Sequence, residues 1–106
     1  MIEQPNFNYI DELSGEDIVF RNKFITIIKY EFPIEKEEYL SNVTNNRFKE
    51  TANIVHKLKH KFIILGMVKS YKIATDYEME LLASKNDSEA SFMEILENIE
   101  TYIKTI

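Results

Sequence analysis

Apolar residues recur along this chain at spacings of three and four, the period of one face of a helix, and no segment alternates in the manner of a strand. A short amphipathic stretch, Phe7 to Leu13, comes first. Ser14-Gly15-Glu16-Asp17, a capping residue with an acid three positions on, then opens a long helix whose buried face is expected to be Phe20, Phe24, Ile27 and Ile28. Pro33 disfavours helical geometry at Phe32 and suits a first helical turn, which predicts a break there and a short second segment from Pro33 to about Asn42. After the polar run Ser41 to Asn46, a third helix from about Asn46 to Leu65 buries Phe48, Ala52, Val55, Leu58, Phe62 and Leu65, with Gly66 as its stop. A fourth, Met67 to Lys85, repeats Met67, Tyr71, Ala74 and Leu81. A fifth, following Asn86-Asp87-Ser88, repeats Phe92, Leu96, Ile99 and Ile103.

Short connections make successive helices antiparallel neighbours, so the expected fold is all-α: an up-down-up-down four-helix bundle with an additional N-terminal helix. A chain of 106 residues supports one such core, and a single domain over 1–106 is expected. Two Gly and two Pro leave little material for hairpins or Gly-rich phosphate loops. Without Cys there are no disulfides, thiolate metal sites or Cys nucleophiles, which suits a reducing cytosol; a cytoplasmic location is expected. The N-terminus lacks the basic and then apolar order of a secretory signal, so no cleaved leader is expected. The longest apolar run, Phe62 to Val68, falls far short of the ~20 residues of a membrane span.

The net charge of −5 argues against nucleic acid as a partner, but it is unevenly spread. Arg47, Lys49, Lys57, Lys59, Lys61, Lys69 and Lys72 face a single acid, Glu50, while the rest of the chain holds six basic and seventeen acidic residues. Such a patch on an acidic protein suits a phosphate group or an acidic partner surface.

His56 lies inside that patch. At roughly 100° per residue it projects about 115° from the centre of its helix's apolar stripe, at the edge of the bundle. Lys49, Asn53, Lys59 and His60 share its flank with Ile63, while Ile64 is expected to point away from the core. On the next helix Glu78 falls inside the apolar series Met67, Tyr71, Ala74, Leu81, where a carboxylate needs a partner. Antiparallel packing offers it His56 Nδ1 or Lys59, which would leave His56 Nε2 toward solvent as a neutral nucleophile.

The run His56-Lys57-Leu58-Lys59, followed by Leu65-Gly66 nine and ten residues after the His and by Glu78 twenty-two after it, resembles the histidine-containing phosphotransfer (HPt) domains of two-component phosphorelays. The resemblance covers the helical plan from Ser14 to the C-terminus and implies a function in signal transduction. It implies that His56 accepts a phosphoryl group from a receiver-domain aspartyl phosphate and passes it to another receiver. Lys59 would neutralise the phosphate, and Glu78 would orient the imidazole. Lys57, Ile63, Ile64 and Gly66 would belong to the docking face. The implied partners are response-regulator receiver domains and a hybrid sensor histidine kinase, the receiver supplies Mg²⁺, and the carrier is a monomer with no cofactor and no kinase activity of its own. No Walker loop or kinase Gly-rich loop is present. The chain departs from the family where His60 and Lys61 stand in place of small residues, which bears on docking; His60 is a candidate modulator that would hydrogen-bond the incoming phosphoryl group.

Two further readings compete. The four-residue spacing of His56 and His60 resembles a two-His zinc pair, but the intervening residues lack the metalloprotease Glu, Lys59 is cationic and a third ligand is missing, so no metal site is expected. Alternatively, the bundle binds receivers without carrying phosphate, His60 and Lys61 blocking the chemistry.

Overall fold

The computed structural model describes residues 3–106. Its elements are α1 (Asn8–Ser14), α2 (Ile18–Thr44), α3 (Phe48–Ile64), α4 (Val68–Leu82) and α5 (Glu89–Ile103), and no strand occurs among the described residues. In the order α2, α3, α4, α5 each helix packs on the next and α5 closes on α2, while α1 lies across α2 and α3. This is the expected four-helix bundle with an additional N-terminal helix.

The core assembles from the predicted stripes of α3, α4 and α5. Ala52, Val55, Leu58, Phe62 and Leu65 are buried, as are Met67, Ala74, Leu81, Phe92, Leu96 and Ile99. Phe48, Tyr71 and Ile103 pack partly buried against them. At the centre Tyr39 and Tyr77, fully buried, share a hydrogen bond of 2.8 Å between their hydroxyls and both lie against the Phe92 ring. Burial pushes both phenols' pKa up: the hydrogen bond adds to the rise at Tyr39 and opposes it at Tyr77.

The sequence reading fails on α2, where Pro33 makes no break. The helix runs through it for 27 residues, about 40 Å, beyond the reach of its 15- to 17-residue neighbours. Pro33 lies on the exposed face, whereas Ile28, Phe32, Tyr39 and Asn42 are buried on the other; burial of that face across the proline outweighs one lost backbone hydrogen bond. The expected face was set too far around the helix. Ile28 is buried and Phe24 partly so, but Phe20 and Ile27 remain 40% and 43% exposed. The cap also moves: Ser14 ends α1, and Asp17 accepts from Phe20 N at 3.0 Å. Gly15, at φ +57°, turns the chain between the two helices.

Gly66 ends α3 at φ +73°, as expected. A side chain there would also meet Asn6, whose Oδ1 would lie 2.6 Å from an added Cβ, and Asn6 N donates to Leu65 O. The N-terminal segment thus closes over the α3–α4 turn, and the Glu3 carboxylate accepts from Lys69 N and Ser70 N at the start of α4.

Candidate functional site

α3 and α4 form the most extensive helix pair of the bundle, and their antiparallel register brings His56 and Glu78 together across it. The ionised carboxylate can only accept, so the contacts of 3.1 and 3.2 Å between its oxygens and His56 Nδ1 place the ring proton on Nδ1. Nε2 then carries the lone pair. The imidazole is 54% exposed and Glu78 only 20%: the nitrogen that can react is turned outward, the one that orients is covered.

Glu78 also holds Lys59, whose Nζ lies 2.9 Å from Oε1 and 5.4 Å from the centre of the Tyr71 ring. Lys59 is 10% exposed on its side chain. From the sequence this ammonium is expected to neutralise a phosphate and is also offered to Glu78; in the structure it is paired with Glu78, the carboxylate that holds His56. Tyr71 was read only as a core residue. The signal was available, because Tyr71 and Glu78 lie seven residues, two turns, apart on one face of α4.

His60 occupies the outer side. Its Nε2 stands 3.5 Å from His56 Nε2, the rings meet edge to face with centroids 4.9 Å apart, and His60 makes no other hydrogen bond among the described residues. With the lone pair on His56 Nε2, a hydrogen bond at this contact requires the His60 proton on Nε2. His60 is therefore the side chain in contact with the outward nitrogen of His56, where Lys59 is expected from the sequence to neutralise a phosphate.

Lys61 is turned away altogether, buried against α2 with its Nζ 2.9 Å from Glu31 and 2.8 Å from Glu35. It does not stand in the way of a partner at His56. The basic patch is correspondingly smaller: Lys59 and Lys61 are paired internally, and Arg47, Lys49, Lys57, Lys69 and Lys72 are the exposed cations. Of the expected docking residues Lys57 is exposed and Ile63 half-buried. Ile64 packs against the core instead of pointing away from it, and Gly66 lies under Asn6. On α4 the exposed side chains Val68, Lys72 and Met79 flank the Tyr71–Glu78 face; of these the sequence points only to Lys72, as a member of the basic patch.

Among the described residues no helix is long and apolar enough to cross a membrane, and no three His, Cys, Asp or Glu side chains gather as a metal cluster. Comparison with protein-family models, curated proteins and solved structures finds no match to the chain.

Proposed function

We propose that this chain is a histidine phosphocarrier of a two-component phosphorelay, in which His56 Nε2 takes a phosphoryl group from a receiver-domain aspartyl phosphate and returns it to a second receiver. One observation carries the reading. An imidazole on the flank of a four-helix bundle is held through Nδ1 by a carboxylate of the next helix, leaving an outward lone pair on Nε2.

The lone pair attacks phosphorus, the bond from phosphorus to the aspartyl oxygen breaks, and the carboxylate leaves with that electron pair. His56 becomes a cationic phosphoimidazole, with Nδ1–H still donated to Glu78, whose negative charge stabilises it. Transfer of this kind depends on positioning and on neutralising the phosphoryl oxygens. A receiver brings Mg²⁺ and the aspartate. The carrier supplies the oriented ring and, once the His60 ring turns aside to admit phosphorus, an N–H for one oxygen.

The same histidine favours a second reading, a bundle that docks receivers without accepting phosphate, because His60 Nε2 faces the lone pair at 3.5 Å. Incubation with a phosphorylated receiver and Mg²⁺ decides between them. Phosphate that is acid-labile and base-stable, and that disappears in His56→Gln, supports the carrier; a receiver complex without such phosphate supports the docking bundle.

A further inference from the structure

His56 and His60 sit one turn apart on the exposed flank of α3 with their Nε2 atoms 3.5 Å apart. Two imidazole nitrogens at about 2.05 Å from one tetrahedral ion are about 3.3 Å apart, so the pair already stands near a chelating separation. Glu78 has fixed the His56 proton on Nδ1 and left Nε2 free to donate its electron pair. The His60 ring is exposed and held among the described residues only by its contact with His56, so moving its proton from Nε2 to Nδ1 by exchange with water presents a second lone pair to the same point.

We propose that His56 and His60 chelate one borderline divalent transition-metal ion, of the Zn²⁺ class, through their Nε2 atoms. Imidazole nitrogen suits such ions. The carboxylate behind His56 completes the carboxylate–histidine–metal arrangement that fixes a ligand's tautomer and raises its basicity.

Three features of the sequence spoke against a metal here, and the structure changes the weight of two. The missing metalloprotease Glu bears on hydrolysis and not on chelation. Lys59, which would repel a cation, has its ammonium on Glu78 beneath Tyr71. The absence of a third protein ligand stands among the described residues, and it defines the class of site: two positions are left to water or to a partner's group, with exchangeable binding. A metal on this pair takes up the lone pair that phosphoryl transfer uses, so the two occupants exclude one another; the chelate itself does not depend on the phosphocarrier reading.

The test uses the full chain and ZnCl₂ alone, by calorimetry together with histidine ring nitrogen chemical shifts. One ion per chain is expected, binding below about 100 µM and shifting Nε2 of both histidines. His60→Gln should weaken it at least tenfold, and Glu78→Gln about tenfold, as loss of a partner behind a metal ligand does. No saturation by about 1 mM, or unchanged binding in a His60→Gln chain of unaltered circular dichroism, overturns the proposal. No phosphodonor is present, so failure to accept phosphate and failure to bind zinc are separate results.

Discussion

Glu78 meets Nδ1 of His56 at 3.1 Å while holding the ammonium of Lys59 at 2.9 Å, so one carboxylate both orients the exposed ring and neutralises the covered cation behind it. Glu78→Gln keeps an oxygen that can accept from Nδ1 but removes the charge. A charge-assisted hydrogen bond is worth about 1.5–3 kcal/mol, and because the positive charge on the His56 ring grows as phosphorus is transferred, that loss falls on the transition state. Phosphorylation of His56 by a phospho-receiver should slow by about 10- to 100-fold. Single-turnover kinetics, with circular dichroism to confirm the fold, measure it; an unchanged rate would remove Glu78 from the mechanism.

How much of this could be read in advance differs between helices for a physical reason. In α3 and α5 the apolar residues fall mainly on one face, so spacing alone locates Leu58, Phe62, Leu96 and Ile99 in the core; in α4 the same spacing finds Ala74 and Leu81, although Val68, Met79 and Leu82 stay exposed. In α2 apolar residues surround the helix: Ile18, Val19, Tyr30 and Ile34 are exposed, and no periodicity separates them from Ile28 and Phe32. Pro33 then reads as a break, because packing of that buried face, the term that overrides it, is not local. His56 and Glu78 were legible as a pair because a short turn fixes the register of an antiparallel hairpin. Lys61 was not, since its partners Glu31 and Glu35 lie on α2, thirty and twenty-six residues earlier.

His60 tests the space in front of the reactive nitrogen. His60 Nε2 stands 3.5 Å from His56 Nε2, and on the proposed carrier reading a phosphoryl group on His56 would displace the His60 ring to a position where its N–H donates to a phosphoryl oxygen. Removing that bond costs about 0.5–1.5 kcal/mol, so His60→Gly should reduce phospho-His56 at equilibrium with a phospho-receiver by about 2- to 10-fold. His60→Gln, which retains an N–H donor, should lie between the two. Equal phosphate in His60→Gly and the parent chain would exclude a contribution from His60.

Tyr39 and Tyr77 offer a test of the core independent of function. Their hydroxyls meet at 2.8 Å in full burial, so truncating one leaves the other without its partner. Tyr39→Phe and Tyr77→Phe should each destabilise by about 1–3 kcal/mol, while the double variant, having no hydroxyl to satisfy, should lose less than the sum of the two. Urea unfolding of the four proteins closes the cycle. Additive losses would show that the hydroxyl pair is not coupled.

Acid stability should reflect the carboxylate that closes the N-terminal segment onto α4. Burial alone would raise the pKa of Glu3, but the hydrogen bonds it accepts from Lys69 N and Ser70 N, with the Ser70 side chain and the Lys69 charge, outweigh it and hold the group below its ordinary value. Glu100 is lowered as well, chiefly by its hydrogen bond from Lys36 at 2.5 Å. A group depressed in the folded state binds its proton more readily when unfolded. Its stabilisation is therefore complete above the ordinary carboxylate pKa of about 4.3 and drains away as pH falls through the lower folded value. Glu3→Gln should cost about 1 kcal/mol at pH 7, as loss of a helix cap does, and the gap from the parent should narrow below about pH 4. Urea midpoints at neutral and acidic pH measure both; a gap that stays constant with pH would mean that the Glu3 charge contributes nothing to the cap.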